Sequence, residues 1–207
     1  MADRGRPRRF DRERALRAAM ELFWEHGYEG TSISDLTRAI GINAPSLYAA
    51  FECKEALFRE AVDLYLTTAG SATDRALSEA PTAREAVEAS LRGNAELYAT
   101  ADRPGGCMVV LAAANYSTAN REIRDYLMEN RRKTVAAIED RLRRAQSEGE
   151  LGPDVDTAKV AAFYATVLHG MAIEARDGVP HARLTSTVDA AMDAWPALTG
   201  VPSPVLP

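Results

Sequence analysis

The sequence predicts an all-α fold of about nine helices, in which a small three-helix head precedes a larger helical body. Three observations support this prediction along the 207-residue chain. Apolar residues recur at the spacing of one helix face, and the alternation that marks a strand never extends beyond a few residues. Glycine, proline and capping residues interrupt this pattern at intervals that suit helices.

The first predicted helix runs from about residue 10 to residue 26. Ala19, Leu22 and Phe23 lie on its apolar face, and Gly27 ends it.

Residues 30–58 read as two short helices joined by a tight turn, followed by the start of another helix. Ser32 begins the first with a capping-box pattern, and Gly41 supplies the left-handed residue that ends it. Asn43 caps the second, and Pro45 lies in its first turn, where a missing N–H costs least. The pattern predicts a helix-turn-helix, which places its second helix in the major groove of DNA.

Six further helices are predicted for the body. The segment that starts at Cys107 is apolar on every side, which predicts a buried helix. The predicted ranges are about 54–80, 82–100, 107–114, 120–147, 156–176 and 182–195.

Composition argues against several classes of protein. No apolar run approaches the roughly 20 residues of a membrane span, and the charged N-terminus lacks the apolar core of a secretory signal. Cys53 and Cys107 are far apart, which favours a reducing cytoplasm over a disulfide framework, with a bond between them kept as the less favoured alternative. The histidines show no metal-ligand spacing, so we expect no metal, no cofactor and no enzyme activity.

The basic residues are unevenly distributed. The formal net charge is −5, yet Arg4, Arg6, Arg8 and Arg9 lie close together in an N-terminal arm. Local patches, rather than total charge, govern contact with phosphates. The Arg-Gly-Arg-Pro sequence of the arm is similar to an AT-hook core, whose arginines enter a narrow minor groove. A basic tail that only neutralises phosphate is the alternative, and both interpretations are kept.

A set of motifs in the first 60 residues points to a known family. The pattern A-x-x-L-F-x-x-x-G-Y is present as residues 19–28, followed by residues 31–33, the Gly41 turn, residues 46–48, Phe51 and residues 54–57. As a set they resemble TetR-family transcriptional regulators. The resemblance implies a DNA-binding domain over residues 1–53 and an effector-binding and dimerisation domain over residues 54–207. It also implies a homodimeric repressor that a small molecule releases from double-stranded operator DNA.

The head carries two kinds of candidate DNA contact. Thr31 and Ser32 lie at a helix N-terminus, which suits a phosphate, and Tyr48 and Lys54 match family positions that hold phosphates. The candidates for base edges are Asn43, Ala44, Pro45 and Ser46. None of these fixes a base as a bidentate arginine would, so the sequence does not reveal the operator.

Two residues of the head depart from the family pattern. Glu52 stands where a small or glycine-like residue is usual, and Pro45 replaces a residue that often reaches the DNA. We expect Glu52 to point away from the phosphates.

The body is expected to hold a mostly apolar effector. The candidate pocket residues are Tyr65, Leu66, Cys107, Met108, Leu111, Asn115, Phe163, Val167, His169 and Met171. His169 and Asn115 are the polar groups expected to orient the ligand, and ordinary core packing is the alternative for each residue. A ligand against Tyr65 or Leu66 would tilt the long helix that joins head to body.

The last two predicted helices suit a two-fold, four-helix dimer interface. Small residues permit close approach, and larger apolar residues supply area. The interface candidates are Leu168, Leu184, Val188, Met192 and Trp195.

A second functional hypothesis uses the two cysteines. A DNA-binding regulator could respond to oxidants through Cys53 or Cys107, or could act without any ligand. Against this, the apolar surroundings of Cys107 disfavour the thiolate, which is the reactive form.

Overall fold

The computed structural model describes residues 11–100, 104–112 and 120–202. Within these ranges the regular elements are all helical, which confirms the predicted fold class. The α-helices are α1 (Arg12–His26), α2 (Ile33–Ile40), α3 (Ala44–Phe51), α4 (Lys54–Thr67), α5 (Ala72–Glu79), α6 (Ala83–Tyr98), α7 (Met108–Leu111), α8 (Arg121–Ser147), α9 (Thr157–Arg176), α10 (His181–Asp193) and α11 (Trp195–Thr199). None of the described helices is long and apolar enough to cross a membrane.

The core of the head extends beyond its three helices. Phe23, Leu36, Leu47 and Phe58 are fully buried in one cluster that also includes residues of α7 and the start of α8. Edge-to-face packing of the Phe23 and Phe58 rings, with centroids 5.0 Å apart, joins α1 to α4. The head and the first helix of the body therefore share one packed core.

The predicted helix over residues 54–80 is two helices. α4 ends at Thr67, a short 3-10 helix spans Ala69–Ser71, and α5 begins at Ala72. Thr67 and Thr68 each direct a hydroxyl to a carbonyl oxygen one turn back, and the backbone at Thr68 is not helical (φ −122°, ψ −95°). Gly70 allows the chain to pass close to the Tyr65 ring, because a Cβ there would lie 2.5 Å from it.

The body forms a second core between α5, α6, α8, α9 and α10. Leu91, Leu142, Tyr164, Val188 and Trp195 are among its most deeply buried side chains. The Tyr164 hydroxyl donates to the carbonyl oxygen of Ala191 at 3.2 Å and so ties α9 to α10.

The five predicted dimer residues belong to this protomer's own interior. Leu168, Leu184, Val188, Met192 and Trp195 are all buried within the single chain, so they do not form its outer surface. Helical periodicity identified the apolar face of each helix correctly, but it could not say that neighbouring helices of the same chain cover that face.

Candidate DNA-binding surface and effector cavity

The turn between α2 and α3 has the backbone that its residues require. Gly41 adopts a left-handed conformation (φ +78°), and its N–H donates to the Thr37 carbonyl oxygen at 2.9 Å. The Asn43 Oδ1 atom accepts a hydrogen bond from the Ser46 N–H at 2.9 Å and caps α3. These contacts fix the direction in which α3 leaves the turn.

The outer face of α3 is small and weakly polar. Pro45, Ser46 and Ala49 are exposed, Ala44 is half-buried, and the Tyr48 side chain is 45% exposed. Leu47 and Phe51 point into the core, as their spacing predicted.

Thr31 does not belong to this outer surface. Its side chain is 0% exposed, and its hydroxyl donates to the Gly27 carbonyl oxygen at 2.7 Å. The predicted phosphate contact through this side chain is therefore wrong. The hydroxyl instead connects the end of α1 to the start of α2. Ser32 is exposed and shares a capping box with Asp35, and these hydrogen bonds lower the pKa of the Asp35 carboxyl.

Lys54 and Glu52 lie side by side at the end of α3 and the start of α4. The Lys54 ammonium lies 4.1 Å from the centroid of the Tyr28 ring, and partial burial lowers its pKa while nearby Glu29 opposes the shift. Glu52 has a positive φ of 60°, which is strained for a residue with a side chain. Arg4, Arg6, Arg8 and Arg9 of the predicted arm lie outside the described residues.

A cavity of about 250 Å³ lies in the body beneath α4. Four of the candidate pocket residues line it: Tyr65 and Leu66 from α4, Cys107 from the segment before α7, and His169 from α9. Leu168, a predicted dimer residue, also lines this cavity.

The other predicted pocket residues lie elsewhere. Met108 and Met171 are buried in the two cores, and Leu111 lines a shallow depression beside residues 27–30. Phe163 is 37% exposed on the outside of α9, and Val167 packs against the body core. Asn115 lies outside the described residues. A helical repeat gives the angle between neighbouring side chains, but not the rotation of the whole helix about its axis.

The cavity wall is more polar than the sequence suggested. Sequence reasoning followed the apolar line of α6 and missed Asn94 and Tyr98, which line the cavity, as well as Ser90 one turn earlier. All three are buried and four residues apart. That spacing of polar residues within an apolar helix was the available signal. Further lining residues from α5 and α8 are Thr73, Asp74, Asn130, Arg131, Lys133 and Thr134.

Burial sets the protonation of three groups around the cavity. Desolvation raises the pKa of the Tyr65 and Tyr98 phenols well above their ordinary value, and the neighbouring Cys107 thiol adds to both shifts. Desolvation lowers the pKa of His169, and Arg131 lowers it further. The imidazole is therefore neutral at pH 7 and can both donate and accept a hydrogen bond.

Trp24 links the cavity to the head. Its Nε1–H donates to the Gly106 carbonyl oxygen at 3.0 Å, next to Cys107, and its ring meets the Tyr65 ring edge-on with centroids 4.8 Å apart. Gly106 has φ +77°, and a Cβ there would clash with the Ala172 carbonyl oxygen of α9. One short segment thus contacts α1, the cavity wall and α9.

A second contact between head and body lies beside α9. Arg176 donates to the Glu25 carbonyl oxygen and lies 3.6 Å from the Glu25 carboxylate. In the part of the chain that the structure describes, no cluster of His, Cys, Asp and Glu side chains could hold a metal ion.

Two family patterns match the chain. The pattern described as "Bacterial regulatory proteins, tetR family" matches residues 15–61, and that described as "Tetracyclin repressor-like, C-terminal domain" matches residues 83–186. The first covers α1 to α3 and the start of α4, and the second covers α6 to α9 with the start of α10.

Relatives of known function match over nearly their whole length. The HTH-type transcriptional repressor ComR of Escherichia coli (strain K12) is 34% identical over 196 residues, covering 94% of this chain and 93% of ComR. The repressor BdcR of the same strain is 30% identical over 202 residues, covering 92% and 91%.

A solved structure supports the same assignment. A cysteine variant of the TetR-family transcriptional regulator CifR, in complex with 26-bp double-strand operator DNA, has a TM-score of 0.89. It is 44% identical and covers 93% of this chain and 100% of its own. These relatives are transcriptional regulators and not enzymes. The chain described here belongs to the tetR family of bacterial regulatory proteins.

Proposed function

We propose that the protein is a homodimeric repressor that binds operator DNA through α2 and α3 and leaves it when a small molecule occupies the cavity. The observation that carries this proposal is the cavity beneath α4, whose wall residue Tyr65 packs directly on Trp24 of the head. ComR and BdcR are named repressors, and CifR is solved with operator DNA, which supports the same role here.

The outer face of α9 is the proposed dimer surface. Ile173 is 52% exposed and Phe163 is 37% exposed, and they are two of the large hydrophobic side chains that the described structure leaves uncovered. Ala162 and Gly170 are exposed on the same helix and allow close approach of a partner helix. The five residues that the sequence predicted for the interface are buried within the protomer and would not contact the partner directly.

Binding to DNA would use two copies of α3 in successive major grooves, about 34–36 Å apart for sites one helical turn apart. Ser46 and Ala44 would meet base edges, while Tyr48, Lys54 and the N–H groups of Ile33 and Ser34 in the first turn of α2 would hold phosphates. Since few of these groups distinguish bases, the paired spacing and the arginines of the arm would supply much of the specificity.

Release would follow from movement of α4 and α1. A ligand that displaces Tyr65 or Cys107 disturbs the contacts of Trp24 with the cavity wall, and so changes the orientation of the head. A coupling of about 1–3 kcal/mol, or roughly 5- to 150-fold in operator affinity, suffices for regulation.

The test begins with selection of an operator from random duplex DNA by the full-length protein. We expect a two-fold symmetric sequence bound by a dimer, and a compound found by thermal shift should lower the affinity for that sequence. Dimers crosslinked through α9 that still respond to the compound would indicate reorientation rather than dissociation. A compound that saturates the cavity without changing operator affinity would refute the release mechanism.

Thiol oxidation is the second candidate for the signal. Cys107 lies in the cavity wall, and Cys53 is exposed at the start of α4, where its sulfur accepts the Ala56 N–H at 3.4 Å. One equivalent of peroxide would convert either thiol to a sulfenic acid with release of water. Operator affinity is compared after peroxide and after reductant in Cys53→Ser and Cys107→Ser, and an unchanged affinity in the wild type excludes this candidate.

A further inference from the structure

The polar wall of the cavity contains a deeply buried hydrogen-bond acceptor that the described part of the protein does not satisfy. Asn94 lies on α6 and lines the cavity, and only 4% of the residue is exposed. A buried carboxamide normally has all its polar atoms paired, so an unpaired oxygen here calls for a partner.

Two hydrogen bonds fix the orientation of this carboxamide. The Asn94 Nδ2 group donates to the Ser90 carbonyl oxygen at 2.8 Å and to the Thr73 hydroxyl oxygen at 2.9 Å. Ser90 and Thr73 are themselves joined by a hydroxyl–hydroxyl bond of 3.1 Å. Because only the nitrogen can donate to a carbonyl, the Oδ1 atom must occupy the other position.

The Oδ1 atom faces the space that the residue lines. No described residue donates a hydrogen bond to it. The atom is also not sealed from solvent, so a molecule in the cavity can reach it. Both Nδ2 hydrogens are used within the protein, so Asn94 offers a ligand an acceptor only.

The charged groups at the cavity add a second feature. Arg131 and Lys133 contribute two positive charges and Asp74 one negative charge, an excess of one positive charge. None of the three forms an ion pair with another described residue. The volume of about 250 Å³ is just below the roughly 300–1,000 Å³ typical of ligand pockets, which requires a small ligand.

We propose that the effector is a small anionic compound with a hydroxyl or amino group on an apolar body, and that Asn94 recognises it by accepting the hydrogen bond of that group. Arg131 offsets the negative charge. This inference rests on the proposed function, because it names the chemistry of the effector in the same cavity. A compound that lacks the donor leaves the Asn94 oxygen buried and unpaired, so the site discriminates against it.

Matched pairs of small aromatic acids test the inference. Binding of the three hydroxybenzoates, the three aminobenzoates and the three methoxybenzoates is measured by calorimetry with the full-length wild-type protein. We expect at least one hydroxy or amino acid to bind about 10-fold or more tightly than its methoxy counterpart. In Asn94→Leu this preference should disappear. Asn130→Leu removes the other cavity amide, whose nitrogen donates to the Tyr126 carbonyl oxygen and whose oxygen likewise has no donor among the described residues. It should keep the preference, and loss of the preference in Asn130→Leu but not in Asn94→Leu would assign the acceptor to Asn130 instead.

The outcomes separate this inference from the proposed function. Equal binding of methoxy and hydroxy acids to the wild type, or binding of none of them, overturns the recognition rule, and this comparison needs no variant to fold. A preference that survives in Asn94→Leu overturns the assignment to that residue. Uncharged hydroxybenzamides that bind as tightly as the acids overturn the anionic class. Methoxy compounds that release the protein from DNA would leave the proposed function intact and sink only the inference.

Discussion

The outer surface of the head and the wall of the cavity use their polar side chains in opposite ways. In the head, Ser32 and Asn43 direct their oxygens to the N–H groups that begin their own helices. In the cavity, Asn94 is held by Thr73 and Ser90 so that its oxygen is left without a donor from the described residues. The head thus uses its polar side chains to shape its own backbone for DNA, whereas in our proposal an effector completes the hydrogen bonds of the cavity wall.

The substitution with the greatest effect should be one on the proposed dimer surface of α9. Ile173→Arg places a charge at an exposed apolar position of the proposed dimer face and should prevent dimerisation. Loss of the second half-site should weaken operator binding by about 100-fold or more, since the effective-concentration advantage of a linked pair disappears. Sedimentation velocity and operator titration measure both effects.

Ala136→Arg is the control for that substitution, because Ala136 is exposed on α8 and not on the proposed dimer helix α9. It should leave both the dimer and the affinity unchanged. An Ile173→Arg protein that still forms dimers would place the interface elsewhere.

A pair of substitutions in α3 separates backbone shaping from contact with DNA. Asn43→Ala removes the cap and should lower the free energy of unfolding by about 1 kcal/mol as well as weaken operator binding. Ser46→Ala removes an exposed hydroxyl and should weaken operator binding only. Chemical denaturation measures the stability of both variants, and operator titration measures their affinity for DNA. Equal losses of stability would show that Asn43 and Ser46 do not differ in shaping the backbone.

Glu52 provides a test in which strain and charge can be told apart. Glu52→Gly should raise the free energy of unfolding by about 1 kcal/mol, because glycine tolerates the positive φ. It should also strengthen operator binding slightly, because it removes a negative charge two residues from Lys54. Glu52→Ala removes the charge but keeps the strain, so it should strengthen binding without the gain in stability. Stability gains of equal size in the two variants would show that φ is not the cause.

The smallest effect is a pH dependence in the body. Burial lowers the pKa of His169 below its ordinary value of 6.5, so the unfolded chain takes up a proton at a higher pH than the folded chain does. The stability of the protein should therefore decrease as the pH falls below about 6.5, and His169→Gln should make this decrease shallower. Thermal unfolding between pH 7 and pH 5 measures the slope, and identical slopes would count against a buried neutral imidazole.

The same contrast explains what the sequence could predict. The limits of α2 and α3, the Gly41 turn and the inward direction of Leu47 and Phe51 follow from interactions within a few residues, and all are confirmed. Thr31 was wrongly assigned to the DNA-binding surface. Its hydrogen bond to Gly27 is local, but its complete burial depends on the packing of the whole head, which the local sequence does not show.

The cavity was harder to predict because it is formed where helices distant in sequence meet. Its wall is formed by residues from α4 to α9. The orientation of each helix about its axis therefore decides whether a residue such as Phe163 lines the cavity or, as here, lies on the outside. The five residues predicted for the dimer interface were placed wrongly for the same reason. Only the assembled fold shows which apolar faces are covered by other helices of the same chain. The end of α4 at Thr67 is accompanied by a close approach of Gly70 to Tyr65, which helical periodicity does not reveal.

If filling the cavity changes the head, two neighbouring alanines of α8 allow this to be tested without any ligand. Ala137 lines the cavity, whereas Ala136 is exposed to solvent. We predict that Ala137→Trp, which fills the cavity, lowers affinity for the selected operator by roughly 5- to 150-fold while the protein stays folded and dimeric. Ala136→Trp should bind with wild-type affinity. An Ala137→Trp protein that is folded, dimeric and binds the operator as tightly as the wild type would contradict the account.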